Sequence, residues 1–322
     1  MILRQPEWAR NVLDVQDGEG DVELDGRKQK RQSPVTELVV ALSDQRVYRE
    51  VVWSLKRGLR DARSEFSFVR VRGLNALAKF MSSAVSDEKV IELFRDCQSY
   101  RELQVVPVLF DYTLAPRKRL AKNLSILTPG AQAASSDVES SPTSVEVALG
   151  LRVLEGCCLL YNGCRTTASR HAAVSELIDL FLAGGPSVQS HCLDGLLALM
   201  LESSSNQKEF ERVHGLRKFA EMLRNNHLDP VIRLRIAEFI VILISQILPS
   251  ANKGFGPAGE DSKPAWMTKW AQQELVELLG EESSAVVDDI IDAGRHKFSD
   301  QEGQQTATLR YAQQLLHLAS SF

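Results

Sequence analysis

The chain has no apolar run long enough to cross a bilayer. Its most apolar stretch, Ile236 to Leu248, spans 13 residues and includes Glu238, whereas a membrane-spanning helix needs ~20. It reads as a core helix. Also missing is an amino-terminal apolar stretch ahead of a small-residue cleavage site, so a secretory route is not expected. The chain has no excess of basic residues either: 38 Lys and Arg stand against 42 Asp and Glu, far from the balance of a typical nucleic-acid-binding domain. Five cysteines in 322 residues, with no export signal, point to reduced thiols in the cytosol or nucleus. No segment shows the apolar-polar alternation of a half-buried strand.

What the chain does have is a globular composition: 44% hydrophobic and 25% charged residues, with a mean hydropathy of −0.15. At 35.9 kDa it can form two conventional domains or one elongated array. Charge is segregated at the amino-terminal end. Residues 1–26 hold two bases against seven acids, and residues 27–72 hold twelve bases against five acids. The run Arg27-Lys28-Gln29-Lys30-Arg31 reads first as a solvated linker and second as a patch for acidic partners or nuclear localisation.

Helical spacing dominates the rest. After Ser33-Pro34, Val35, Leu38, Val39 and Leu42 fall on one face of a helix, and Val47, Val51, Leu55 and Leu59 continue it. Residues 128–144 are small and polar, with no aromatics, and predict a flexible linker. Residues 249–264 are rich in proline and glycine and predict a second break.

Between these linkers the chain repeats itself. Leu154-Glu155-Gly156, Leu193-Asp194-Gly195 and Ala237-Glu238-Phe239 enter successive apolar runs at intervals of 39 and 44 residues. Val174, Leu177, Leu180 and Phe181 match Leu216, Phe219, Met222 and Leu223 at an offset of 42, and Pro186 and Pro230 lie 44 apart. Periods near 40 predict armadillo or HEAT-like units, whose apolar faces are covered only by their neighbours. The expected architecture is an all-α helical solenoid with flexible linkers. Residues 1–32 are expected to form a charged, disordered segment, and residues 33–127 a helical region with a degenerate repeat over Leu74–Phe110. The linker at 128–144 precedes the regular repeats at 145–248, and the break at 249–264 precedes a helical cap at 265–322.

No catalytic constellation emerges. His191-Cys192-Leu193-Asp194-Gly195 begins like the tyrosine-phosphatase loop HCxxGxxR, but Ala198 occupies the arginine position that would bind phosphate. Gly254 to Gly259 matches GxGxxG, but Pro257 and Pro264 deny it the helix whose amino end would face a pyrophosphate. The spacing of Cys157, Cys158 and Cys164 does not suit zinc. No metal or other cofactor is expected, and no enzyme activity. Glu155, Asp194 and Glu238 read as unit-to-unit periodicity and not as paired catalytic carboxylates. The tryptophans Trp8, Trp53, Trp266 and Trp270 lie outside the candidate inner helices at 174–183 and 216–226, which disfavours a nuclear-import type of groove. Ser33, Thr128 and Ser141, each followed by proline, are candidate phosphorylation sites as well as ordinary turn starts.

The stretches VALGLRVLEGCCLLYNGCR (Val147–Arg165), CLDGLLALMLESSSNQKEF (Cys192–Phe210) and IRLRIAEF (Ile232–Phe239) resemble the cell division control protein 14 family of the septation initiation network. These are armadillo-like proteins unrelated to the similarly named phosphatase. The resemblance implies a non-catalytic scaffold or regulatory partner of a germinal-centre-class serine/threonine kinase in septation or cytokinesis signalling. It also implies a cytoplasmic location, with the division site, the spindle pole and a nuclear pool as settings. The candidate partner-binding residues are Arg217, Lys218, Arg224 and Asn225, since such charged and polar side chains cannot all be core, although solvation alone would also place them outside. The alternative function is a general armadillo-type protein adaptor unrelated to division, using the basic 27–72 region for acidic partners.

Overall fold

The computed structural model describes residues 34–115, 141–247, 266–295 and 301–320. Among these there are fourteen α-helices and no strand, so the protein is all-α. The helices are α1 (Pro34–Ala62), α2 (Ser67–Ala84), α3 (Glu88–Cys97), α4 (Val105–Leu109), α5 (Ser144–Leu160), α6 (Asn162–Arg170), α7 (Ala173–Ala183), α8 (Pro186–Met200), α9 (Ser204–Arg212), α10 (Gly215–Arg224), α11 (Pro230–Ile242), α12 (Trp266–Leu279), α13 (Glu282–Arg295) and α14 (Gln301–Ser320).

Compactness divides the chain into residues 1–44 and residues 45–322. In the first unit the described residues are the opening turns of α1, where Val35, Leu38, Val39 and Leu42 are all exposed. In the second unit one continuous set of buried apolar residues extends from Val51 to Ala319.

Local sequence signals explain where the helices start. Thr143 and Glu146 form a reciprocal capping box at α5, so Ser144 is already helical. Asp87 caps α3 by accepting from the backbone N–H groups of Lys89 and Val90. Pro186 and Pro230 open α8 and α11 at the position where a missing N–H does no harm. Asp229 caps α11 through a 2.7 Å bond from Val231 N–H.

The repeated sequence becomes a repeated three-helix unit. Helices α6, α7 and α8 form the first copy, and α9, α10 and α11 the second. In each copy the corner between the first two helices is a left-handed residue, Ala172 (φ 53°) and His214 (φ 52°). Such a backbone is disfavoured for residues with a Cβ. The same irregularity recurring 42 positions later therefore marks a shared design. The third helices α8 and α11 lie in a row with three further helices: α2 packs on α5, α5 on α8, α8 on α11 and α11 on α14.

Buried polar side chains tie each unit together by bonding helix ends. Gln189 Nε2 on α8 donates to the Phe181 carbonyl at 3.2 Å, and Arg233 on α11 donates to the Leu223 carbonyl through Nε at 3.0 Å and Nη2 at 2.7 Å. These are equivalent places in the two copies, and both satisfy carbonyls that a helix end leaves without a partner. Arg165 on α6 donates to the carbonyls of Cys158 (3.0 Å) and Leu201 (2.7 Å), while Asn206 and Gln207 on α9 donate to Leu199 (2.9 Å) and Met200 (2.8 Å).

The glycines of the Leu-Glu-Gly and Leu-Asp-Gly motifs permit close layers. A Cβ on Gly156 would stand 3.0 Å from Met81 Cβ, and one on Gly195 would stand 3.1 Å from Leu177 Cδ2. The third copy places Phe239 there, and its ring joins Phe219 (5.0 Å) and Phe210 (6.1 Å) in an aromatic cluster that also takes in Phe181, 5.0 Å from Phe219.

Candidate partner-binding faces

The acidic positions of the three repeat motifs fall on α5, α8 and α11, and the packing of α5 on α8 and α8 on α11 brings all three together. Asp194 on α8 accepts from Arg235 Nη2 on α11 at 2.7 Å, and the same guanidinium reaches Glu238 at 3.4 Å through Nη1. Glu155 on α5 lies within electrostatic range of both Asp194 and Arg235. Burial, and then the neighbouring Asp194 carboxylate, push the Glu155 carboxyl above its ordinary value. All four side chains are half-buried, and Arg152 is exposed beside them. The result is a charged ladder across three successive helices. Beyond it, Arg235, Glu238, Gln304 and Thr308 border an open cleft of about 540 Å³ between α11 and α14.

His191 belongs to the same face. Burial lowers its pKa against the pull of Asp194, and its Nδ1 is buried without a partner among the described residues. The imidazole is therefore held towards its neutral form. Cys192, the next residue, points into the core, where burial pushes the thiol up to about 12. Such a thiol is protonated at neutral pH and does not act as a nucleophile. Cys157 and Cys158 are buried with raised values as well. Among the described residues no three His, Cys, Asp or Glu side chains gather as a metal site, and no helix is long and apolar enough to cross a membrane.

The four residues singled out from sequence lie on or just after α10. Arg217 forms ion pairs with Glu277 (2.5 Å) and Glu274 (3.4 Å) of α12, and Arg224 Nη1 reaches the Leu278 carbonyl at 3.4 Å. These two cations fasten α12 to α10. Lys218 is half-buried, and exposed Asn225 accepts the His227 N–H at 3.0 Å in the turn after the helix. Ser141 is exposed just before the α5 cap. Ser33, Thr128, the Arg27–Arg31 run and the GxGxxG match lie outside the described residues.

Arg235 is the residue of the ladder that sequence reasoning overlooked. Its signal was present, since Arg235 sits three positions before Glu238 on the same helix. Its reach to Asp194, 41 positions away, depends on how α8 and α11 pack.

A family model described as "Cell division control protein 14, SIN component" matches residues 77–318. The chain belongs to this family. The match opens within α2, runs through both three-helix copies and closes within α14, so it covers the charged ladder and the core beneath it. A comparison with curated proteins finds no match. Membership assigns the chain to cell division, in septation signalling, and to a family distinct from the phosphatase of similar name.

Proposed function

We propose that the chain is a non-catalytic scaffold or regulatory subunit that binds a serine/threonine kinase of the germinal-centre class during septation and cytokinesis, in the cytoplasm. The observation that carries this reading is the charged ladder of Glu155, Asp194, Arg235 and Glu238, laid across repeated units within the region matching the family. A three-helix unit recurring at 42 to 44 residues, each copy covering its neighbour, supports an armadillo-like solenoid. In that solenoid residues 33–127 supply a degenerate first unit, residues 145–248 the regular units and residues 265–322 the cap. A ladder of mixed charge, half-desolvated and held in place by its own ion pairs, suits a partner with complementary charges and disfavours wrong ones. Lys218 and Asn225 extend the contact from α10, while Arg217 and Arg224 act by holding α12 in place.

Affinity capture from dividing cells tests the reading. The wild-type chain is expected to retain a kinase of this class at mild salt. The double exchange Asp194→Arg with Arg235→Asp, which keeps an ion pair but reverses its direction, is expected to lose it while folding normally. Repeated captures with no such kinase would refute the assignment. Equal capture by the exchanged variant would move the contact away from the ladder.

A further inference from the structure

The hairpin of α1 and α2 carries a second surface, most of it ahead of the region that the family model matches. The two helices cross almost backbone to backbone. A Cβ on Gly73 would stand 2.5 Å from Ala62 N and 2.7 Å from Gly58 O. On one side of that crossing lies a cleft of about 860 Å³, lined by Trp53 and Arg57 from α1 and by Arg72, Asn75, Lys79 and Ser83 from α2.

Two features of this cleft are unusual for a merely solvated face. Trp53 is 61% exposed, and the Arg57 guanidinium sits 5.2 Å from its ring centroid, so an apolar plate and a cation are presented side by side. Tryptophan and arginine are both enriched among the residues that carry most of the binding energy near the centre of protein interfaces. The local charge is also opposite in sign to that of the whole chain. Residues 45–84 hold nine Lys and Arg against three Asp and Glu, whereas the chain as a whole is −4. The one carboxylate in the cleft, Asp61, already accepts from Arg72 at 3.0 Å and from Arg60 at 3.1 Å. Among the described residues no carboxylate pairs with Arg57 or Lys79.

We propose that this cleft is a docking site for an acidic peptide segment of a partner protein. Its carboxylates would lie on Arg57 and Lys79, and an apolar side chain between them would lie on Trp53. Asn75 and Ser83 supply neutral hydrogen-bonding groups for the peptide backbone at the other wall. Charge sets the attraction and the indole sets the register, because cations alone would accept any polyanion. This site does not depend on the kinase reading, and the ladder plays no part in it.

The test uses the full chain and a fluorescein-labelled dodecapeptide of Asp and Glu with two central leucines, followed by fluorescence polarisation at two salt concentrations. Binding that weakens with salt is expected. Arg57→Glu with Lys79→Glu, and separately Trp53→Ala, are each expected to weaken it about ten-fold with an unchanged thermal midpoint, since all three side chains are exposed. Replacing the leucines by serines should remove the Trp53 effect. Unchanged binding by the charge-reversed variant would overturn the proposal. So would indifference to Trp53→Ala, or tighter binding of a short DNA duplex through the same residues, which would mark a general polyanion surface.

Discussion

Arg70 and Glu146 stand 76 positions apart and meet in the interior, with Arg70 Nε 2.8 Å from Glu146 Oε1. The Arg70 side chain is 5% exposed and that of Glu146 is fully buried. The pair joins α2 to the first turn of α5, where Glu146 also closes the Thr143 capping box, and Arg70 Nη1 additionally donates to the Glu65 carbonyl at 2.8 Å. The hairpin that carries the proposed acidic-peptide cleft is therefore clamped to the helix row by a buried charge contact.

Breaking this pair on one side should be costly. Removing one member of a buried, hydrogen-bonded ion pair leaves the other charge uncompensated, a loss of about 3–5 kcal/mol. Arg70→Met is expected to lower stability on that scale in urea unfolding. The double variant Arg70→Met with Glu146→Leu should recover most of the loss, because no lone charge then remains buried. Equal losses in the single and double variants would show that shape, and not charge, holds the contact.

The same pair predicts an acid response. Burial alone would raise the Glu146 carboxyl, but the Thr143 N–H and Arg70 guanidinium outweigh it and hold the group below its ordinary value of 4.5. Asp61 behaves likewise: burial raises it, and Arg72 and Arg60 bring it below 3.8. A depressed carboxyl contributes stability that is complete above the unfolded value and is lost as pH falls through the folded value. Thermal unfolding of the wild type should therefore weaken below about pH 4.5, and the Arg70→Met, Glu146→Leu variant should lose less over that range.

Glu155 should respond in the opposite sense. Its carboxyl is raised by burial and by Asp194, so its contribution is complete below the unfolded value of 4.5 and is lost as pH rises through the folded value. Glu155→Gln is expected to raise the melting temperature slightly at pH 7 and to have no effect at pH 4, as read by scanning calorimetry. A drop in stability at pH 7 would mean that attraction to Arg152 and Arg235 outweighs burial.

The thiols should be silent in the folded protein. All five cysteines are buried, and burial pushes the Cys192 thiol up to about 12. Iodoacetamide at pH 8 is expected to label none of them until denaturant is added, with mass spectrometry as the readout. Rapid labelling of Cys192 in the native state would restore the possibility of nucleophilic chemistry on α8.

Much of the helical content was readable from spacing, because a 3.6-residue period repeats within each segment and leaves its mark wherever α7, α8, α10 and α11 form. The copy-to-copy offset was readable too, since Pro186 and Pro230 start equivalent helices and Val174 and Leu216 begin equivalent apolar faces. The partners of the buried cations were not. Nothing local distinguishes Arg70, Arg165 and Arg233, which are buried, from Arg57 and Arg63, which face solvent. Nor did the four residues on and just after α10 reveal that Arg217 and Arg224 would be engaged by α12.

The division between the two kinds of information follows from range. Helix starts, corners and apolar faces depend on residues within one or two turns, so composition and order along the chain suffice to specify an all-α protein built from repeated units. Which charges meet depends on packing between helices: Arg235 finds Asp194 and Arg70 finds Glu146 because α8 lies against α11 and α2 against α5. The crossing at Gly58 and Gly73 likewise makes a cleft out of Trp53, Arg57 and Lys79, which are otherwise three unremarkable letters on two helices. Coulomb energy and desolvation act through space over a few ångströms, and separation along the chain does not report that distance.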